Sequence, residues 1–391
     1  MTLLSPELLI ESMYFHAWAT ASLSNLSLLK NLHERFESYE YAWKHATNQL
    51  LSTLSPEIDI TGRKPSIDPK KEWEKLEEST IRLIVLQHPD YPELLKQLPH
   101  PPLGIYVQGR LCGNSLHNSL LPLTEILSDY VPLSVVGTRR PSPYGIIQTQ
   151  KIIQALAQTK TLIISGLAHG IDTVAHETAL LENLPTWAVI GHGHKKFSYA
   201  RLPLVKLILE SNLGCIISEY SPDTPALNYH FPQRNQIIAG LSGHTLVTEA
   251  PARSGALITA RSAFEANREV FALTADIDRD DCAGNLYLIE SQTATPITSY
   301  TQLPGVLHGV TNSLMQDSLF PAKHTSRKPA KLDDPQLQSI IDTLTYKYAT
   351  PVSQLFDSCN IPNIGLLFQK LSELEIEGLI EQIPGGYRLI R

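Results

Sequence analysis

Apolar residues recur at steps of three and four positions from Pro6 to Leu54, and no glycine interrupts this stretch before Gly62. Such spacing is typical of amphipathic helices that bury one face. The segment from Thr61 to Pro69 then mixes Gly, Pro, Lys and Arg between two amphipathic stretches, which is the composition of a linker. The pattern therefore predicts a small helical domain over residues 1–68.

A different pattern occupies the chain between Leu133 and Leu273, where a short apolar run, a turn rich in Gly and Ser and an amphipathic helix repeat. The runs are Ser134–Gly137, Thr161–Gly166, Thr186–Gly191, Cys215–Tyr220, Thr245–Ala250 and Val270–Leu273. Strands that alternate with helices predict right-handed crossovers and a mostly parallel sheet with both faces covered. We therefore expect an α/β, Rossmann-like doubly wound domain over residues 69–320, with its site at the carboxyl ends of the strands.

The end of the chain predicts a separate module. Residues 321–331, PAKHTSRKPAK, have no apolar periodicity and are typical of a basic linker. Helical periodicity covers Pro335–Tyr348, Val352–Asp357 and Asn363–Glu377, and a hairpin pattern covers Gly378–Ile390. Three helices and a hairpin predict a winged-helix domain over residues 332–391. The segment from Lys331 to Arg391 contains five Lys or Arg residues and eight Asp or Glu residues. Because this negative balance would repel a phosphate backbone, we expect the module to bind a protein rather than duplex DNA.

Composition narrows the class of protein. Hydrophobic residues make up 42% and charged residues 18% of the chain, which is typical of a globular protein and excludes a disordered or fibrous one. The formal net charge of −7 gives nucleic-acid binding no support, so such binding must depend on local basic groups. The sequence contains no run of 18 apolar residues, so no membrane span is expected. No Lys or Arg occurs before Lys30, so a signal peptide is not expected either.

Cysteine usage indicates the compartment. Four cysteines lie far apart in the sequence and form no CxxC pair, so neither a zinc site nor a disulfide framework is expected. They are Cys112, Cys215, Cys282 and Cys359. A reducing cytoplasm is the expected location.

The first Gly-containing turn is GTRRPSPYG, Gly137–Gly145, where a helix is expected to follow a strand. Exposed N–H groups and the helix dipole at such a turn attract phosphate, and Arg139 adds a charged donor. The same residues are equally typical of a helix capped by Thr138 with a solvated Arg139.

The second turn is SGLAHGID, Ser165–Asp172. Gly166 and Gly170 would let backbone approach a ligand, and Asp172 is expected to cap the following helix.

An aromatic and basic stretch begins at Asn228 with NYHFPQRNQIIAGLS. Phe231 or Tyr229 can stack on a base, while Arg234 and Asn235 open a helix where contacts to phosphate are strong. This combination is what binding of single-stranded nucleic acid requires, but composition alone does not favour that role over a structural one. The alternative is a structural role in which Phe231 belongs to the core.

The last turn, EAPARSGALITAR, contains Ser254 and Gly255 at the start of another predicted helix. A second anion-binding end and a plain helix cap are equally compatible with it. Glu249 in this turn is a candidate ion-pair partner that would make Arg234 structural.

Cofactor motifs are not found. Gly191 and Gly193 form a GxG without the third glycine, and no GxxxxGK[ST] occurs, so neither a dinucleotide nor a nucleoside triphosphate cofactor is expected. Ser165 and Ser254 do not lie in GxSxG and have no identifiable partner histidine, so no nucleophile is expected.

Metal binding is also disfavoured. His169, His192 and His194 could meet Asp172 at the strand ends, but no HExxH-like spacing gives them a common face. Histidines near such turns are more typical of hydrogen-bonded loop residues, and we predict no metal site.

Taken in order, the stretches SVVGTRRPSPYG, IISGLAHGIDTVAHETAL, WAVIGHG, IISEY, NYHFPQRNQIIAGLS and LVTEAPARSGALITARSAFEANREVFAL resemble the DNA-processing A (DprA/Smf) family. HPDYP and PPLGIYVQG extend the resemblance upstream. It implies a protein that binds single-stranded DNA, forms a homodimer, helps to load a RecA-type recombinase and protects incoming strands during transformation. No catalytic activity and no cofactor come with it.

The resemblance also implies site residues. The DNA contacts carried over by motif are Gly137, Thr138, Arg139, Phe231, Arg234 and Asn235. The residues expected to shape the pocket are Ser165, Gly166, Gly170, Ser254 and Gly255.

Several positions depart from the family pattern. Thr138 replaces a Ser, Asn228 replaces a Lys found in many members, and Gln236 replaces the second Arg of RNR. GHGH stands where GCG is usual, and Thr274-Ala275 where Pro-Gly is usual. Residues Cys112 to Tyr130 resemble an insertion. The smaller number of cations predicts weaker DNA binding.

Two other functions remain alternatives. A small-molecule enzyme of the phosphoribohydrolase (lysine-decarboxylase-like) type would have a related core, but it predicts GGGxG and PGGxGTxxE where this chain has SGLAHG and APARSGALITA. A protein-interaction scaffold would need none of the Arg and Phe positions.

Overall fold

The structure is a computed structural model that describes residues 5–109, 122–308, 334–344, 350–359, 361–376, 379–383 and 386–389. The chain divides into two compact units, Met1–Thr311 and Asn312–Arg391. The domain boundaries predicted from the sequence stay predictions. The expected basic linker over residues 321–331 lies outside the described residues, as does most of the expected insertion, with Cys112.

A nine-stranded sheet organises the first unit, and its spatial order is β1-β2-β6-β5-β4-β3-β7-β8-β9. The strands are β1 Ile81–Val85, β2 Gly104–Gly109, β3 Val131–Val136, β4 Thr161–Ser165, β5 Thr186–Ile190, β6 Cys215–Ser218, β7 His244–Val247, β8 Glu269–Leu273 and β9 Thr295–Ile297. All pairs from β6 to β9 are parallel, whereas β1 and β2 add an antiparallel edge. The predicted Rossmann-like, mostly parallel sheet is confirmed.

Helices cover both faces of this sheet. They are α7 Glu93–Lys96, α8 Leu123–Asp129, α9 Pro143–Ala155, α10 Ile171–Leu181, α11 Leu202–Glu210, α12 His230–Gly240, α13 Gly255–Glu265, α14 Ala283–Glu290 and α15 Gln302–His308. Alternation along β4 shows why both faces are buried: Leu162 and Ile164 enter one core cluster, and Ile163 enters the other. Strands buried on both sides must be apolar throughout, which explains their runs of Val, Ile and Leu.

In the described residues 5–80, six α-helices precede the sheet. They are α1 Pro6–Ala21, α2 Leu26–Phe36, α3 Tyr39–His45, α4 Asn48–Leu54, α5 Ile60–Arg63 and α6 Pro69–Glu78. Each follows a Ser, Asn, Thr or Asp whose side chain accepts a backbone hydrogen bond at the helix start. Trp18 and Leu28 share a buried cluster with Leu83 of β1 and Tyr106 of β2. These helices therefore cover the antiparallel edge of the sheet.

The described residues of the second unit form three helices and a hairpin. They are α16 Pro335–Thr343, α17 Val352–Ser358, α18 Ile364–Ile376, β10 Ile380–Ile383 and β11 Gly386–Leu389. The strands pair antiparallel, and Ile340, Leu355 and Leu371 belong to one buried cluster. These elements follow the predicted order, and their assignment to the winged-helix class stays a prediction. Within the described part of the chain, no helix is long and apolar enough to cross a membrane.

Candidate nucleic-acid interface

A cavity of about 750 Å³ lies beyond the carboxyl ends of β3 and β7. The chain leaves β3 towards β4 on one side and leaves β7 towards β8 on the other, so the strand order reverses between these two neighbours. Open α/β sheets bind ligands in such a crevice. The cavity is lined by eight of the predicted site residues: Gly137, Thr138, Arg139, Phe231, Arg234, Asn235, Ser254 and Gly255.

The first turn is held by backbone hydrogen bonds. The N–H of Thr138 donates to the carbonyl oxygen of Glu249 (2.7 Å), and the hydroxyl of Thr138 accepts from the N–H of Arg140 (3.2 Å). Helix α9 is capped instead by Ser142, whose hydroxyl accepts from the N–H of Gly145 (3.2 Å). The alternative that Thr138 caps this helix is therefore wrong, because three residues separate Thr138 from the helix cap Ser142.

Glu249 anchors the same turn through its side chain. The fully buried carboxylate accepts from the N–H of Ser142 (2.8 Å) and from its hydroxyl (2.5 Å). Arg279 donates to that hydroxyl (2.9 Å) and pairs with Asp281 (2.7 Å). Glu249 thus holds the turn before α9 and is not the ion-pair partner that the sequence suggested for Arg234.

Arg139 and Phe231 lie together at the cavity. The guanidinium carbon of Arg139 is 5.5 Å from the ring centroid of Phe231, which is within cation–π range. Arg139 is exposed, whereas Phe231 is partly buried against Gly191. The charge and the aromatic surface predicted from separate motifs therefore share one place.

Arg234 is almost completely buried, with 4% of its surface exposed. Its Nη1 donates to the carbonyl oxygens of Gly166 and Val189, the latter at 2.6 Å, and its Nε donates to Oδ1 of Asn235 (3.1 Å). Burial lowers the pKa of Arg234 to about 10, and the charge of Asp172 opposes that shift. The guanidinium stays charged at neutral pH and joins the ends of β4, β5 and α12.

Asp172 completes this buried arrangement. Its Oδ2 accepts from the N–H groups of Gly166 (3.1 Å) and Ala168 (3.3 Å), while burial raises its pKa. The expected capping role of Asp172 is wrong, because Gly170 is the N-cap of α10. Gly170 has φ +81°, and a Cβ there would collide with the carbonyl oxygen of Thr138, so only glycine fits.

The remaining predicted residues have structural environments. Ser165 is fully buried, and its hydroxyl donates to a backbone carbonyl of β3 (2.7 Å). Ser254 caps α13 with its hydroxyl. A Cβ built on Gly255 would meet no atom within 4 Å, and the carbonyl of Gly255 accepts from Nδ2 of Asn235 (3.3 Å). This hydrogen bond between Asn235 and Gly255 therefore links the starts of α12 and α13 at the cavity.

Sequence reasoning missed four charged lining residues. Arg140 and Arg253 are exposed cations of the first and last turns, and their position inside already selected motifs could have identified them. Asp280 and Asp281 line the same cavity, and Arg279 neutralises the second of them. The cationic side of the cavity thus faces an acidic segment.

The histidines of the turns have separate environments. His194 is buried with Nε2 beside the carbonyl oxygen of Ile216 (3.2 Å), and Nδ1 of His192 lies beside that of Gly193 (3.0 Å). Burial lowers the pKa of both rings. Among the described residues, no group of three His, Cys, Asp or Glu could hold a metal ion.

Comparisons with known proteins show which family this chain resembles. The sequence profile of the family described as DNA recombination-mediator protein A matches residues 82–307, which include the whole cavity. Protein Smf of Synechocystis is 32% identical over 96% of this chain and 98% of its own length. Protein Smf of Escherichia coli is 33% identical over 83% of this chain and 81% of its own length.

A solved structure also matches. The X-ray structure of DNA processing protein A from Streptococcus pneumoniae has a TM-score of 0.58 and 29% identity, and the match covers 75% of this chain and 96% of that one.

Proposed function

The chain belongs to the DNA recombination-mediator protein A family, and from this premise we propose that it binds single-stranded DNA in the cavity between β3 and β7. The family's role is recombination mediation in DNA processing and not a known enzymatic activity. We further propose that the protein acts in the cytoplasm as a homodimer, protects incoming strands and helps to load a RecA-type recombinase.

The observation that supports DNA binding most directly is the joint presence of free cations and an aromatic ring. Arg139, Arg140 and Arg253 are exposed at the cavity, and Phe231 lies beside them. Binding of single strands needs phosphate neutralisation and base stacking in the same groove. Thr138, Asn235 and Gly255 then shape the backbone around the strand.

The enzyme alternative is not supported by Ser165, Ser254 or Glu249, whose side chains are used by the fold. The hydroxyl of Ser165 is used by a backbone carbonyl, and that of Ser254 caps a helix. The carboxylate of Glu249 accepts two hydrogen bonds from Ser142. Groups committed to the fold in this way are not available for proton transfer or nucleophilic attack.

Fluorescence anisotropy with a labelled oligothymidine tests the proposal, with duplex of the same length and thymidine monophosphate as competitors. We expect oligothymidine to compete best, the duplex weakly and the monophosphate only at far higher concentration, since one nucleotide makes few of the contacts. Competition by the monophosphate at the same concentration as the oligonucleotide would instead favour a small-molecule enzyme.

The partner proposals have their own measurements. Sedimentation equilibrium of the full chain tests the homodimer.

Strand exchange by a RecA-type recombinase on protein-coated single strands tests loading. We expect the chain to shorten the lag of strand exchange. An unchanged lag, with DNA binding intact, would contradict the loading role alone.

A further inference from the structure

A second cavity, of about 250 Å³, lies on the opposite side of α12 from the first. Phe231, Arg234, Asn235 and Ile238 of α12 line the first cavity, whereas Gln233, Gln236 and Ile237 line the second. The other walls come from α1, α2, the segment before β2 and the residue after β6. The second cavity therefore lies between the N-terminal helices and the sheet and opens to solvent on one side.

The second cavity is lined by one carboxylate, that of Glu219, which directly follows β6. Among the described residues, no donor hydrogen-bonds to this carboxylate, and no Lys, Arg or His nitrogen lies within 4.0 Å of it. Asp172 and Glu249, in contrast, each accept two hydrogen bonds. Burial alone raises the pKa of Glu219 to about 8, in keeping with a carboxylate that lacks a counter-ion.

The other wall groups define the chemistry that would satisfy this carboxylate. Phe15, Leu26 and Leu29 supply apolar surface. Gln236 is exposed, while Oε1 of Gln233 accepts from the hydroxyl of Tyr220 (2.8 Å). An apolar pocket with one anionic group is complementary to an apolar body with one cationic group.

Two cationic or ionisable residues also lie at this wall. Lys30 pairs with Glu34 (3.8 Å) and keeps 54% of its side chain exposed, so its ammonium group points to solvent. His100 is exposed in the segment before β2. Neither supplies a counter-ion to Glu219 in this arrangement.

We propose that this cavity binds a small organic cation, a guanidinium or ammonium group on a short aliphatic body, with Glu219 as its counter-ion. A guanidinium group can donate two parallel hydrogen bonds to one carboxylate, which gives it an advantage over a point charge. A hydrated metal ion is disfavoured because the apolar walls offer few oxygen ligands.

Calorimetric titration of the full chain without DNA tests this site at about pH 9, above the pKa of Glu219 of about 8, so that its carboxylate is ionised. The probe is n-propylguanidinium, and the matched neutral compound is n-propylurea, which has nearly the same shape. We expect saturable binding of the cation, and binding of the urea weaker by roughly tenfold or more because the charge-assisted hydrogen bonds are lost. Because DNA is absent, failure here leaves the proposed DNA binding untouched.

Variants locate the binding. Glu219→Gln should abolish the preference for the cation, whereas Glu290→Gln, which changes an exposed carboxylate at the end of α14, should leave it unchanged. Gln236→Arg should also abolish probe binding, because it places a guanidinium of the chain itself in the cavity. This second variant keeps the test decisive if Glu219→Gln does not fold.

Three results would overturn the proposal. Equal binding of n-propylguanidinium and n-propylurea would show that the charge is irrelevant. Parental affinity for the cation in Gln236→Arg would place its site elsewhere. Cation binding that appears only after Lys30→Met would show that Lys30 already occupies the place next to Glu219 in solution.

Discussion

The two cavities on either side of α12 differ in how their charges are compensated. In the larger one the buried side chains of Arg234 and Asp172 have several hydrogen-bond partners, and Arg139, Arg140 and Arg253 are exposed to water. In the smaller one Glu219 is partly buried among apolar side chains, and none of the residues that the structure describes supplies it with a counter-ion. One helix therefore separates ionisable groups that have several hydrogen bonds from a carboxyl group to which, among the described residues, no donor hydrogen-bonds.

This comparison shows that residues close together in the sequence can have opposite environments in the fold. Arg234 and Gln236 are two positions apart, yet a helix turns about 100° per residue and so directs them to different cavities. A buried ion is stable only when its hydrogen bonds are complete, so a residue's place on the helix decides whether a charge there stabilises the fold.

The largest expected effect is that of Arg234→Ala. It removes the donor to the carbonyls of Gly166 and Val189 and leaves Asp172 buried without its nearby cation, so we expect a loss of about 3–5 kcal/mol in the free energy of unfolding. Urea unfolding measures it. Arg253→Ala, an exposed change at the same cavity, is the control and should stay within about 0.5 kcal/mol. Equal effects of the two variants would contradict a structural role of Arg234.

A second stability effect concerns the other cavity and depends on pH. The pKa of Glu219 rises from an ordinary 4.5 to about 8 in the folded protein, so the unfolded state releases this proton first. The stability that Glu219 contributes is therefore complete below about pH 4.5 and is lost as the pH rises towards 8; each unit of pKa shift corresponds to about 1.4 kcal/mol.

Glu219→Gln should remove this loss. Urea unfolding gives the free energy of unfolding of both proteins at about pH 5 and about pH 8. The change between the two pH values in the parent protein, minus the same change in the variant, is the contribution of Glu219. The histidines whose pKa is lowered by burial, such as His16, His176 and His194, destabilise both proteins alike at low pH and cancel in that difference. Parallel pH profiles would show that Glu219 has a partner in solution.

Phe231→Ala should weaken oligothymidine binding by about 1–3 kcal/mol through lost stacking. Because Arg139 lies over the ring, the double variant with Arg139→Ala should lose less than the sum of the single losses, by about 0.5–1 kcal/mol. Anisotropy titrations of the four proteins complete the cycle. Strict additivity would show that the two side chains separate when DNA binds.

The smallest expected effect is on salt dependence. Arg139→Ala should reduce the log–log slope of affinity against salt by about 0.7, the contribution of one phosphate contact on a single strand. Arg261→Ala, which removes an exposed arginine paired with Glu265 outside the cavity, should leave the slope unchanged. Equal slopes for Arg139→Ala and the unmodified chain would place the strand elsewhere.

The sequence by itself determined the architecture, because strand, turn and helix patterns are local. Apolar runs alternating with amphipathic helices required a parallel sheet, and the Gly-containing turns had to collect at its carboxyl edge. That edge is where Gly137, Arg139, Phe231 and Gly255 line one cavity. The ordered motifs were also sufficient to indicate the family.

Only the tertiary structure decided which side chains meet. The sequence suggested an ion pair between Glu249 and Arg234 because their charges are opposite. In the fold, Glu249 instead accepts hydrogen bonds from Ser142, and Arg234 donates to backbone carbonyls. Glu219 lies almost two hundred residues from Lys30, and no periodicity connects them to one cavity wall. Contacts between distant segments depend on how the helices pack on the sheet, and that information is not present in any local pattern.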